Sequence, residues 1–490
     1  MTSIKRNIVW NLLGYGLPLL AGLIFFPLIV KAYGLERFGL LSLAWALVGY
    51  FGLFDFGLSR TLTQMVSVLL AKKQTDRQVA ELIRTCFRVM WLFGLLGGLV
   101  LWLSSRYLVS NLLHVSHSLQ YETIAAFSLL ATMIPIVVHT SAMRGVLEAL
   151  HLFKVASIIR TVMGVGTFIG PFIASYFSDS LLGAIYALLV VRILVWILHL
   201  KAIRNTGILT KHGRAFASEW LRPLFSFGGW MSLINIISPL MVYLDRFIVV
   251  SLLGAASVAF YVAPYEVITK MLVIPAAISS VLFPLFAKEW ESQPLRSAVI
   301  LNQGIRYTLL LLYPACILLV YFAQEWLSVW LGEEFSANGR LVVLWLTAGI
   351  LVNSSAQILF AKIQGAGRSD VTAKLHLLEL IPYFIVLWWA LSEHGIAGAA
   401  FAWFARVLLD MIELTYFASK ISIYNFGESK QSLLLLFIAT LTLLGAALLT
   451  NFYVRVIMVM LGLLLYTILA VKQLRQDHML NWLTDYFKKL

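Results

Sequence analysis

The sequence predicts an all-α polytopic membrane protein of about fourteen transmembrane helices, arranged as two six-helix halves plus two extra C-terminal helices. Three observations predict it. The 490-residue chain is 61% hydrophobic and only 12% charged, whereas a soluble domain is nearer half apolar and a quarter charged. Mean hydropathy is +0.89. Fourteen apolar stretches reach the length a spanning helix needs, about 20 residues.

The first stretch follows MTSIKR and reads IVWNLLGYGLPLLAGLIFFPLIV. A basic start before an apolar run also marks a signal peptide. This run is too long for one and no small-residue cleavage site follows, so it reads as a retained helix. The stretches centre near residues 19, 48, 95, 131, 166, 192, 238, 268, 310, 350, 382, 407, 441 and 462. Only SEHG parts the pair at 382 and 407. The expected organisation is a bundle over 1–210, a second over 220–420, two additional helices over 430–472 and a cytoplasmic tail over 473–490. In that tail Trp482, Leu483, Tyr486, Phe487 and Leu490 fall at helical spacing, which predicts an interfacial amphipathic helix.

Charge sets the orientation. With the N-terminus in the cytoplasm, 28 of the 37 Lys and Arg residues fall on the inner side. Five fall outside (Lys31, Arg37, Arg106, Arg340 and Arg455), and four lie within spans. Cytoplasmic loops collect Lys and Arg, so this asymmetry predicts both termini inside. It also accounts for the net charge of +14 without nucleic acid. The two cysteines, Cys86 and Cys316, lie far apart in apolar runs and read as neither a disulfide framework nor a metal site. No P-loop, metal-ligand spacing or Ser/His/Asp set is visible, and the loops are too short for a catalytic domain. The chain reads as a transporter and not an enzyme.

The halves repeat. A shift of 220 residues places Trp10 on Trp230 and Gly34 on Gly254. A shift of 215 places Gly183-Ala184 on Gly398-Ala399, and one of 214 places Arg192 on Arg406. Six spans per half give both halves one orientation, the parallel repeat seen in transporters that handle substrate between their halves.

The stretch KAYGLERFGLLSLAWALVGYFGLFDFGLSRTLTQ closely resembles the polysaccharide transporters that include the O-antigen flippases, within the multidrug/oligosaccharidyl-lipid/polysaccharide exporter superfamily. Gly34, Glu36, Phe38-Gly39, Asp55 and Gly57-Leu58 carry most of the likeness. LDRFIVVSLLGAASVAFYVAPY (244–265) and QGAGRSD (364–370) resemble the matching pieces of the second half. The resemblance implies translocation of an undecaprenyl-pyrophosphate-linked oligosaccharide from the cytoplasmic to the periplasmic leaflet of a bacterial inner membrane. It also implies alternating access driven by an H⁺ or Na⁺ gradient, with no other cofactor. A polymerase and ligase would act beyond it, and the working unit would be a monomer. The alternatives are a cation-coupled small-molecule exporter, a lipid II flippase and a membrane polysaccharide polymerase.

An anionic pyrophosphate needs cations, and Arg binds phosphate oxygens bidentately. The candidates for substrate binding are Arg192, Arg246, Lys270 and Arg406, each open to a second reading as a charge neutralised in place. Arg406 has Asp410 at i+4 and Glu413 beyond, and Lys270 has Glu266 at i−4. Arg192 has no partner on its helix. Asp245 adjoins Arg246 but points elsewhere on a helix. Asp55, Arg60, Asp245, Glu266 and Asp410 are the candidates for coupling or gating. Asp55 reads first as a latch at the inner boundary with Arg60 nearby, and second as a titrating group. Glu266 is the better coupling candidate. His139 and His199 read as locally satisfied, and Trp45, Tyr50 and Trp230 as core or lipid-facing before sugar-stacking.

Overall fold

The computed structural model describes residues 2–51, 57–72, 75–210, 214–226, 229–290, 292–421, 426–449 and 451–476. Asp55 and the tail over 477–490 lie outside the described residues. Among the described residues every regular element is helical. In chain order these are α1 (Thr2–Phe51), α2 (Leu58–Ala71), α3 (Asp76–Tyr107), α4 (His117–Ala149), α5 (Phe153–Ala174) and α6 (Leu181–Arg204). They continue with α7 (Leu221–Ser226), α8 (Gly229–Leu253), α9 (Ala255–Ile268), α10 (Val273–Glu289) and α11 (Pro294–Tyr321). The last are α12 (Ala323–Leu331), α13 (Glu333–Gly365), α14 (Ser369–Ile421), α15 (Phe426–Gly445) and α16 (Phe452–Gln476). Ten helical stretches among the described residues are long and apolar enough to cross a bilayer. The chain is therefore a multi-pass membrane protein.

Two helices are longer than any bilayer requires. α1 has 50 residues and α14 has 53. At about 1.5 Å per residue each would exceed twice the ~30 Å hydrocarbon core if straight. Each is broken at one glycine in a left-handed conformation, Gly34 (φ 74°) and Gly395 (φ 58°). Only glycine takes that conformation without steric cost. The chain folds back at both. The ring of Phe26 lies 5.4 Å from Phe38 and 5.7 Å from Trp45. In a straight helix Phe26 and Trp45 would stand about 28 Å apart. The reversals fall at these glycines and not at Pro18, Pro27 or Pro382, which lie inside continuous helix.

The chain divides into two compact units, Met1–Ala263 and Pro264–Leu490. In the first, α1 packs on α5, α3 on α4, and α4 on α6. Phe26, Phe38, Trp45 and Phe168 form an aromatic core there. Gly166 and Gly170 lie against Val191 of α6 and let α5 approach closely. In the second unit α13 is the axis, touched by α10, α11, α12, α14 and α15. Its apolar window is 78% buried, against 11% for α16, which presents Leu461, Leu464 and Ile468 outward.

Three of the arginines assigned to the outer side are structural clamps. The Arg37 guanidinium forks onto Glu122 (3.1 and 3.2 Å). Arg340 donates to the Ala446 and Leu449 carbonyls (3.1 and 2.9 Å) where α15 ends. Arg455, 4% exposed, donates to the Tyr321 carbonyl (2.7 Å) and to both Glu325 oxygens (3.1 and 2.6 Å). Through these contacts α15 and α16, which have no counterpart in the repeat, are tied to α11–α13.

Candidate functional site

The motif that carries the family resemblance builds a joint and not a binding surface. Gly34 reverses the chain, and the next turn of α1 is then fastened residue by residue. Glu36 accepts the Ser116 backbone N–H at the start of α4 (2.8 Å). Glu122, held by Arg37, also accepts from the Ser180 hydroxyl (3.0 Å) and the Leu181 N–H, which secures the start of α6. Phe38 is fully buried. A Cβ on Gly39 would collide with the Ala255 carbonyl, so α1 and α9 meet backbone to backbone. Gly57, also at positive φ (75°), starts α2. Gly254, aligned with Gly34 by the repeat, adopts positive φ too (85°).

The first unit holds Arg192 and Arg246 in different surroundings. Arg192, part-way along α6, places Nη1 3.1 Å from the Met163 sulfur. A thioether is a weak acceptor, and among the described residues no carboxylate lies within ion-pair distance. Arg246 is 2% exposed and Asp245 fully buried. Asp245 accepts the Arg246 backbone N–H (2.7 Å) and the Tyr261 hydroxyl (2.6 Å). The Arg246 guanidinium carbon lies 5.7 Å from the centre of the Tyr243 ring. Arg60 is exposed on α2. His139 accepts the Trp196 indole N–H (2.9 Å), and His199 hydrogen-bonds the Val195 carbonyl (2.9 Å). Both histidines are thus satisfied locally.

In the second unit Lys270 pairs with Glu266 at 3.1 Å, as the i−4 spacing predicts, and its side chain is 49% exposed. The larger cluster belongs to α14. Arg406 Nη1 lies 3.8 Å from Glu379, whose side chain is fully buried, and its guanidinium sits 5.9 Å from the Tyr383 ring centre. His376 Nε2 lies 4.0 Å from Asp410. Ligand atoms of His376, Glu379 and Asp410 all fall within 4.8 Å of one another. Glu413 stands one turn beyond Asp410, with a buried oxygen lacking a hydrogen bond.

The fold-back at Gly395 creates this cluster. Tyr383 and Arg406 stand 12 residues before it and 11 after. Glu379 and Asp410 stand 16 before and 15 after. Residues equidistant from a reversal face each other. The helical spacing of Asp410 and Glu413 marked one side of the cluster, but Glu379 and His376 were missed, and with them the Arg406–Glu379 ion pair. SEHG at the reversal was the available signal, since reflecting Asp410 and Arg406 through it lands on Glu379 and Tyr383.

The comparisons agree with this architecture. Residues 4–290 match the family described as polysaccharide biosynthesis protein. A Shigella flexneri protein named "Putative O-antigen transporter" is 33% identical over 424 residues, covering 86% of this chain and 100% of that one. Among solved structures, the lipid II flippase MurJ in an inward closed conformation superposes with a TM-score of 0.73 at 14% identity, over 96% of this chain and 99% of that chain. An inward-facing multidrug resistance transporter of the MATE family and MOP superfamily superposes at 0.69 with 13% identity, over 87% and 95%. At such identities the structures speak for the fold alone. The all-helical architecture and the matched relatives agree, and the chain belongs to the polysaccharide biosynthesis protein family of membrane transporters.

Proposed function

We propose that the protein is a flippase that moves an undecaprenyl-pyrophosphate-linked oligosaccharide, an O-antigen or similar repeat unit, from the inner to the outer leaflet of the cytoplasmic membrane by alternating access. The carrying observation is Arg192. A guanidinium part-way along a membrane-spanning helix, with a thioether as its acceptor and no carboxylate at hand among the described residues, is costly unless it serves an anion. A pyrophosphate is such an anion, and the polyprenyl chain of the carrier can remain in the lipid. The Shigella relative's printed name supports the glycan, and the short loops support a transporter over a polymerase.

The finer points are proposals of the same reading. The count is fourteen crossings: α1 and α14 contribute two each through their glycine reversals, with α2 completing the second, and α9 and α10 together make one. Both termini lie in the cytoplasm, as the inner bias of Lys and Arg supports. Coupling is to protons at Glu379, Asp410 and His376. Two carboxylates and an imidazole lie within 4.8 Å of one another there, and Arg406, 3.8 Å from Glu379, already supplies the fixed positive charge that a metal cation would otherwise bring. Glu266 is occupied by Lys270, which makes it the weaker coupling candidate. The protein acts as a monomer beside a polymerase and ligase that use its product.

The test is lipid analysis of cells depleted of the protein and complemented with wild type, Arg192→Ala or Arg192→Lys. Accumulation of a complete undecaprenyl-pyrophosphate oligosaccharide on the cytoplasmic face, relieved by wild type and not by a well-expressed Arg192→Ala, is the expected result. Accumulation on the periplasmic face would refute flipping. A lipid II mass would replace the proposed substrate with that of the lipid II flippase reading.

A further inference from the structure

A groove of about 660 Å³ opens on the first unit where the turn between α4 and α5 meets the end of α6. That volume falls within the range of small-molecule sites, about 300–1,000 Å³. Its floor is apolar, with Leu152, Val155, Ile158 and Leu198 among its residues. Ile158 is 40% exposed within it. Its rim is cationic. Lys201 lines the groove, and Arg204 follows in the last turn of α6.

The rim charge is not compensated locally. Lys201 and Arg204 are exposed and have no acidic partner among the described residues. The neighbouring carboxylate, Glu148, faces Arg144 at 3.8 Å and Arg160 at 3.9 Å. Asn205 also lines the groove and adds a side-chain amide next to Lys201. At the end of a spanning helix, then, an apolar slot lies under the free Lys201 ammonium and the hydrogen-bonding side chains of Asn205 and Thr206. A soluble anion would leave the slot empty, and a neutral lipid would leave the cation unused.

We propose that this groove seats an anionic phospholipid of the surrounding bilayer, with an acyl chain along Ile158 and Leu198 and its phosphate against Lys201 and Asn205. The site is separate from Arg192 and from the α14 cluster. Its assignment to the cytoplasmic leaflet rests on the orientation proposed above, but binding itself does not. Lys201 also opposes the negative end of the α6 dipole, and the experiment must separate that role from lipid binding.

Native mass spectrometry of the purified full chain, exchanged from detergent into mixtures of phosphatidylglycerol and phosphatidylcholine, makes the separation. Wild type is expected to retain phosphatidylglycerol preferentially. Lys201→Gln should lose that preference by about five-fold, the size expected of one Lys or Arg at an anionic lipid surface. Ile158→Glu, which keeps the rim and spoils the floor, should lose it as well. Lys31→Gln, an exposed charge elsewhere, should not. Retention by both groove variants equal to wild type would overturn the proposal. So would displacement of phosphatidylglycerol by equimolar undecaprenyl phosphate, which would give the groove to the transported lipid. Because the readout is lipid retention and not transport, failure of the flippase reading would leave this result standing.

Discussion

Arg406→Met tests whether the α14 fold-back is held by charge. The guanidinium lies 3.8 Å from a Glu379 side chain with no solvent exposure, and is itself 11% exposed. At an effective dielectric near 20, two unit charges at that separation attract by about 4 kcal/mol. Removing one partner of such a buried pair costs about 3–5 kcal/mol while Glu379 is ionised, because its charge then stays buried alone, and less where the carboxylate takes up a proton. Methionine keeps most of the stem volume, so the cavity contribution is small. The measurement is the apparent melting temperature of detergent-purified protein by tryptophan fluorescence, at a fixed scan rate because membrane-protein unfolding is rarely reversible. Arg406→Met is expected to melt several degrees lower. Adding Glu379→Gln removes the stranded carboxylate and should restore more than half of the loss. A double variant as unstable as the single one would show that the pair does not hold the hairpin, and the loss would then be assigned to packing against Tyr383.

Other perturbations follow from the same geometry. Gly34→Ala places a Cβ at φ 74°, ψ 169°, a region essentially reserved for glycine, at a cost of about 1–3 kcal/mol. It should lower the melting temperature more than Gly16→Ala, since a Cβ meets nothing within 4 Å at either position and only the backbone strain differs. Gly39→Val should abolish folded protein, seen as loss of the monodisperse chromatographic peak, because the Ala255 carbonyl occupies the space. Arg455→Ala removes a forked, nearly buried contact to Glu325 and the bond to the Tyr321 carbonyl. Because Glu325 is 38% exposed and can be hydrated when left alone, the substitution should cost about 1.5–3 kcal/mol and speed proteolysis of the α15–α16 segment before the rest of the chain. Arg192→Met, which removes a mid-span charge without a carboxylate partner, should leave the melting temperature unchanged or raised while transport fails; a large destabilisation would make Arg192 a structural residue.

Composition determined the class and periodicity the helices, because burying uninterrupted backbone in hydrocarbon allows little else. The charge asymmetry supplied an expected orientation, and local spacing was enough for Lys270–Glu266, since a helix brings i and i+4 together whatever surrounds it. The family motif was also legible, but its meaning was not. That Glu36 secures α4, that Arg37 and Glu122 secure α6 and that Gly39 touches a backbone 216 residues away are contacts between segments that periodicity treats separately. The Arg406–Glu379–Asp410–His376 cluster was half visible for the same reason. Its two sides lie on opposite arms of one fold-back, and their register depends on a single backbone conformation at Gly395. Helical spacing links residues within an arm, whereas facing arms are aligned only once the reversal point is known. Tertiary structure alone therefore decided which buried charges meet and left Arg192 beside a thioether.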